Sequence, residues 1–160
     1  MDHVDRILEQ WAAERPDLDV APMGVIGRLS RATIRVDARL ASTFARHGID
    51  AGTFDVLATL TRQGAPYRAT PAQLADDAMV TSSAVAQRLN RLESLDLIRR
   101  LPHPDDRRGK FVELTAAGKE VVDRVLPDHL STEEELLGRL SADERRTLAQ
   151  LLDRVARPES

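Results

Sequence analysis

The chain has no cysteine, and aromatic residues make up only 3% of its 160 positions. Without cysteine there is no disulfide scaffold, no thiolate zinc site and no cysteine-based redox sensor. With few aromatics and 42% hydrophobic residues, the core must be built from Leu, Val, Ile and Ala. That composition suits packed helices better than a β-sandwich. No apolar run approaches the length of a membrane span, so no membrane partner is expected. The N-terminus, MDHVDRILEQW, lacks the basic start and apolar centre of a secretory signal; a cytoplasmic chain is the expectation. Positive charge is also in short supply: the formal net charge is -3. A globally basic nucleic-acid binder is therefore excluded, but a local basic patch is not, because association follows the field near the contacting surface.

What is present reads as helices. The length fits one compact domain, or one with helical extensions, and suffices to bury a core. Val4, Ile7, Leu8 and Trp11 recur at helical spacing up to the Arg15-Pro16 step. PDLDVAP follows as a connector. From Met23, the positions Ile26, Leu29, Ile34, Val36, Leu40 and Phe44 predict a long helix ending at His47-Gly48. Asp50 can cap the next helix, whose inner stripe is Phe54, Leu57 and Leu60. Gly64, Pro66 and Tyr67 mark a loop. Thr70-Pro71-Ala72-Gln73 combines a capping box with proline in the first turn, and predicts a short helix, PAQLADDAM. Thr81 then caps a helix with the stripe Val85, Leu89 and Leu92. Two short helices joined by a tight turn make a helix-turn-helix. Residues 97–101 and 110–114 read as strands around PHPDDRRG, a β-hairpin or wing. Thr115 and Gly118 open a helix carrying Val121, Val122, Val125 and Leu126, which Pro127 should kink or interrupt. Ser141-Ala142-Asp143-Glu144 is a second capping box before Leu148, Leu151, Leu152 and Val155. The fold class is mainly α with a small β-hairpin wing.

The chemistry concentrates in the second helix of the pair and the wing. On TSSAVAQRLNRLE the outer face carries Ser82, Ser83, Ala86, Gln87 and Asn90, with Arg88 and Arg91 beside it. Small residues let a helix approach base edges, and hydroxyls and amides can pair with bases or phosphates. Arg88 and Arg91 are placed to fix register on phosphates. A solvated polar face has the same look. The wing adds Arg99, Arg100, Arg107, Arg108 and Lys110 within one hairpin of an otherwise acidic chain. An Arg at a hairpin tip suits the minor groove, where negative potential is deepest. Asp106, two residues before Arg108, can hold that guanidinium in one rotamer and lower the entropy lost on binding.

Other chemistries find little support. His3, His47, His103 and His129 are scattered without ligand spacing, so no metal is expected. Met1, Met23 and Met79 read as a start residue and core filler. Asp76-Asp77 and Asp105-Asp106 suit capping and solvation. Ser82 and Ser83 have no His-Asp partners in context, and there is no glycine-rich phosphate loop. No enzyme activity and no cofactor are expected.

Residues 106–115, DRRGKFVELT, match the D-x-R-x-x-x-V-x-L-T pattern of the multiple-antibiotic-resistance-regulator (MarR) family at every fixed position. TPAQLADDAMVTSSAVAQRLNRLE also resembles that family's helix-turn-helix, and the likeness extends over residues 20–157 in element order. The resemblance implies a winged helix-turn-helix whose N- and C-terminal helices interlock in a homodimer on double-stranded operator DNA. Recognition helices would enter successive major grooves and wings the flanking minor grooves. It implies that Arg108 probes the minor groove, that Asp106 orients it, and that Gln87 and Arg88 lie where the family contacts DNA. Thr81, Ser82, Ser83, Arg91, Arg107 and Lys110 complete the expected interface. Asn90 and Ala86 depart from the family, where Asp and a hydroxyl residue are frequent.

The stretch 11–19, WAAERPDLD, resembles the family's urate-responsive subgroup, which carries an extra N-terminal helix. That implies a small aromatic or purine-like anionic effector held by Trp11 and Arg15, by Asp55 in FDVLATL, and by Arg100 or Arg99 near the wing. An aromatic face can stack on a planar heterocycle and Arg can pair with its anionic edge. Trp11 as a packing anchor and Arg15 as a surface residue is the other reading. The expected division is 1–48 for the N-terminal and dimerisation helices, 49–114 for the DNA-binding lobe, and 115–160 for the C-terminal dimerisation helices. The expected function is a ligand-responsive DNA-binding repressor; the competing reading is a winged-helix interaction or dimerisation module that does not read DNA.

Overall fold

A computed structural model describes residues 2–78, 82–102 and 110–157, the side chains of residues 82–84 apart. The chain divides after Arg39 into two compact units.

The first unit holds α1 (His3–Glu14) and most of α2 (Ala21–Arg46). Asp2 caps α1 by accepting from the Val4 and Asp5 amides, and Asp5 reaches back to the Asp2 amide. Pro16 lies just beyond the last turn, as the spacing predicts. The two helices approach at glycines. A Cβ on Gly24 would stand 3.2 Å from Leu8, and one on Gly27 would stand 3.3 Å from the buried Val4. Arg28 of α2 bonds Asp2 at 2.9 Å and also engages Asp5. Asp2 is held below the usual carboxylate range by the Asp5 amide first and by Arg28 after it. The helix α2 starts inside the expected connector, because Asp19 accepts from the Ala21 amide at 3.0 Å and Pro22 needs no donor in a first turn. Met23 is 47% exposed rather than core filler.

In the second unit, α2 ends at Gly48, whose φ of 72° is the expected left-handed stop. Then come α3 (Ala51–Arg62), β1 (Arg68–Ala69), α4 (Pro71–Asp77), α5 (Ser82–Ser94), β2 (Ile98–Pro102), β3 (Lys110–Leu114), α6 (Ala116–Leu137) and α7 (Ala142–Ala156). The strands form an antiparallel sheet in the order β1-β3-β2. The hairpin is the expected one, whereas β1 falls between the expected loop at Tyr67 and the helix start at Thr70. One apolar cluster joins Leu57 and Leu60 of α3, Leu74 of α4, Val85, Leu89 and Leu92 of α5, Ile98 and Val112 of the sheet, and Val122 of α6. The helix-turn-helix and the wing therefore share one core. A second cluster stacks Phe44, Phe54 and His129, with ring centroids 4.8 to 5.4 Å apart.

The helix α6 runs through Pro127 without interruption. Val122 and Val125 before it, and Thr132 after it, are all buried. Thr132 also bonds Thr43 at 2.7 Å. Packing on both sides thus offsets the ladder bond that proline removes. Both expected capping boxes form, at Thr70–Gln73 and Ser141–Glu144. The stripe on α7 does not face inward: within one chain α7 buries no residue, and Leu151 is 48% exposed. Among the described residues, no helix is long and apolar enough to cross a membrane.

The wing and α6 meet at one tight point. The Thr115 amide donates to the Leu97 carbonyl at 3.1 Å, and the Thr115 hydroxyl donates to the Asp96 carbonyl at 2.6 Å. Gly118 lies beneath, where a Cβ would fall 2.1 Å from the Leu97 carbonyl oxygen. Gly118→Ala is expected to destabilise the fold by about 3 kcal/mol through overpacking, read as a lower urea midpoint at unchanged slope.

Candidate nucleic-acid interface

The start of α4 is set locally. Thr70 accepts from the Gln73 amide at 3.2 Å, and Gln73 accepts from the Thr70 amide at 2.8 Å. The turn into α5, with Thr81, lies outside the described residues. Ser82 and Ser83 stand in the first turn of α5. Val85, Leu89 and Leu92 are buried, which sends Ala86, Gln87, Asn90 and Arg91 to the exposed face. The periodicity placed all of these correctly.

Arg88 is different, being only partly exposed. Its guanidinium lies against the first turn of α3, so close that a Cβ on Gly52 would be 2.4 Å from Arg88 Cζ. It pairs there with Asp50, the N-cap of α3, which also accepts from the Thr53 amide at 2.7 Å. Arg91 Nη1 stands 3.9 Å from the same carboxylate, with its side chain 68% exposed. Burial raises the Asp50 pKa, but the Thr53 hydrogen bonds and the two arginines outweigh it and leave the group below its usual range. Farther along α5, Glu93 and Asn90 both take hydrogen bonds from Arg100 of β2, the latter at 2.7 Å. Asn90 and Arg100 thus bind α5 to the wing.

The sheet carries a cross-strand triad. Arg68 and Arg99 are the direct partners of Glu113 on β1 and β2. Glu113 is only 4% exposed. It accepts from Arg68 Nη2 at 2.5 Å and from Arg99 Nε at 2.8 Å. Arg68 also lies over the Phe111 ring, 5.8 Å from its centroid. Burial pushes the Glu113 carboxyl up, but Arg99 and Arg68 together hold it below its ordinary value. Val112 and Leu114 bury the opposite side of the strand, as expected of the hairpin's anchoring face. Lys110 is exposed at the start of β3. Asp106, Arg107 and Arg108 lie outside the described residues.

Of the expected effector residues, Trp11 is 41% exposed on α1. Arg15 bonds Asp17 at 2.8 Å. Asp55 is partly exposed on α3, and Arg100 is engaged with α5 as described. Among the described residues, no group of histidines and acids is arranged to hold a metal ion. Sequence reasoning missed Glu113, Arg68 and the second role of Asp50. Only the register of β3 against both β1 and β2 reveals the first two.

A profile described as the MarR family matches residues 47–109. Over 152 residues the chain is 42% identical to the HTH-type transcriptional regulator PecS of Dickeya dadantii, spanning 95% of this chain and 92% of that protein. The chain belongs to the MarR family. Its fold matches Sco3205, a MarR family transcriptional regulator from Streptomyces coelicolor solved in complex with DNA. The TM-score is 0.79 at 26% identity, over 87% of this chain and 88% of that one. It also matches BpsR of Bordetella bronchiseptica, whose DNA binding is regulated by 6-hydroxynicotinic acid. There the TM-score is 0.73 at 26% identity, over 83% and 98% of the two chains. Membership of the MarR family makes this chain a transcriptional regulator and not an enzyme.

The Glu113 triad gives a pH dependence whose sign follows from the lowered folded pKa. Its contribution is complete above the ordinary value near 4.5 and is lost as pH falls through the lower folded value. Glu113→Gln should cost about 2 kcal/mol at neutral pH, the scale of hydrogen bonds to a charged group. The gap in Tm between the two proteins should narrow as pH falls below the ordinary carboxylate range, as thermal melts across the acid range would reveal.

Proposed function

We propose that this chain is a DNA-binding repressor that acts as a homodimer and leaves its operator when a small aromatic or purine-like anion binds. The observation that carries the DNA reading is α5. Its inner stripe is locked into the core shared with the sheet, while its outer face presents Gln87 and Arg91. The reading assigns Thr81, Ser82, Ser83 and Gln87 to bases or phosphates and Arg91 to a phosphate. Lys110 and Arg107 flank the groove, with Arg108 entering it and Asp106 orienting it. The DNA complex of Sco3205 supports this reading.

A second copy of the chain covers the apolar stripes that one copy leaves open. Leu148, Leu151, Leu152 and Val155 of α7, with Leu126 and Leu130 of α6, are between 37% and 60% exposed. Contiguous apolar surface of this kind marks a protein interface. Residues 1–48 and 115–160 supply the dimerisation helices, and 49–114 the DNA-binding lobe. Trp11, Arg15, Asp55 and Arg100 carry the effector response. The subgroup resemblance and the ligand named for BpsR support that assignment.

A mobility-shift titration on DNA upstream of the chain's own gene tests both parts. A shift that urate reverses is expected. A shift that urate leaves unchanged would remove the effector and spare the DNA reading, whereas no shift at low salt would select the interaction module. Arg108→Ala should weaken binding and lower the slope of log K against log salt by about 0.9, the share of one phosphate-scale contact. Trp11→Ala should keep DNA binding and lose the urate response.

A further inference from the structure

The arginine at the middle of α5 is half-buried where a cation is ordinarily disfavoured. Helix N-termini carry partial positive charge, yet the Arg88 guanidinium rests on the first turn of α3, over Gly52. Two features make that position tolerable. Gly52 has no side chain, so the planar group can lie flat on the backbone. Asp50 supplies an anion that caps α3 and pairs with Arg88 through the same Oδ1 atom. The side chain of Arg88 is 24% exposed, against 68% for Arg91. Its Nε is buried and, among the described residues, has no hydrogen-bond partner.

We infer that Asp50 is a positioning residue that holds Arg88 as a strut between α3 and α5, fixing the angle of the recognition helix, and that Arg88 is not itself a phosphate ligand. The inference rests on the reading of α5 as the recognition helix. Arg91, at the exposed edge of the same carboxylate, is then the phosphate contact. Asp50 limits its swing at 3.9 Å without burying it. The strut spans α3 and α5 directly, independently of the apolar core. Its loss would let α5 tilt without unfolding the domain.

The experiment compares the full chain with Asp50→Asn, Gly52→Ala, Arg88→Ala and Arg91→Ala. Asparagine still caps a helix but removes the charge that holds Arg88. Alanine at Gly52 expels Arg88 sterically and leaves Asp50 intact. Operator binding is measured against salt for each. The first three variants should bind more weakly with the salt slope of the wild type, while Arg91→Ala lowers the slope by about 0.9. A slope that falls as far for Arg88→Ala as for Arg91→Ala, or an Asp50→Asn protein that binds more tightly, would overturn the inference. Thermal unfolding of Asp50→Asn, Arg88→Ala and the double variant supplies a readout that needs no DNA. The Tm losses should be far from additive, and additive losses would also overturn it. If the wild type binds no operator, the regulatory reading fails, and the unfolding cycle still decides the strut.

Discussion

The structure turns on a carbonyl oxygen that leaves no room for a methyl group. The Leu97 carbonyl accepts from Thr115, and Gly118 passes beneath it. There the start of the wing is joined to the start of α6. Any side chain at Gly118 would push the hairpin off the helix, and with it Ile98, Val112 and Leu114, which belong to the core under α5. The wing, α6 and the core under α5 are thus set by one backbone approach. Thr115 reinforces it twice, as N-cap of α6 and as donor to the Asp96 carbonyl.

Charge around the winged helix-turn-helix is organised by its acids. Glu113 joins Arg68 and Arg99 across all three strands, Asp50 holds Arg88, and Glu93 takes Arg100. Each acid lies on a different element from its arginine, so these pairs connect strands and helices rather than decorate one surface. This reconciles an acidic total with a basic function. In the proposed interface the paired arginines set geometry, and the exposed Arg91 and Lys110 are the ones assigned to polyanion contact.

Features that depend on short stretches of chain were legible in the sequence. The capping boxes at Thr70 and Ser141, the stop at Gly48 and the stripes of α3 and α5 all rest on spacings of a few residues. The wing motif was legible for the same reason. What could not be read depended on distant partners. Arg68–Ala69 is a strand only because β3 lies beside it. Glu113 has no local signal that marks it, because its arginines stand on two other strands and only the register places one on each side. Pro127 predicts a kink or an interruption because the packing that carries α6 past it comes from Phe44, Phe54 and Thr43, far back in the chain. The stripe of α7 was correctly seen as apolar, but periodicity does not say whether its cover comes from the same chain.

The chain's single tryptophan stands on α1, inside the first of the two units. Its indole emission therefore reports from within that unit. Far-ultraviolet dichroism is weighted instead toward the second unit, which holds most of the helices. Followed through unfolding, the two signals compare the melting of the α1–α2 pair with that of the helices beyond it.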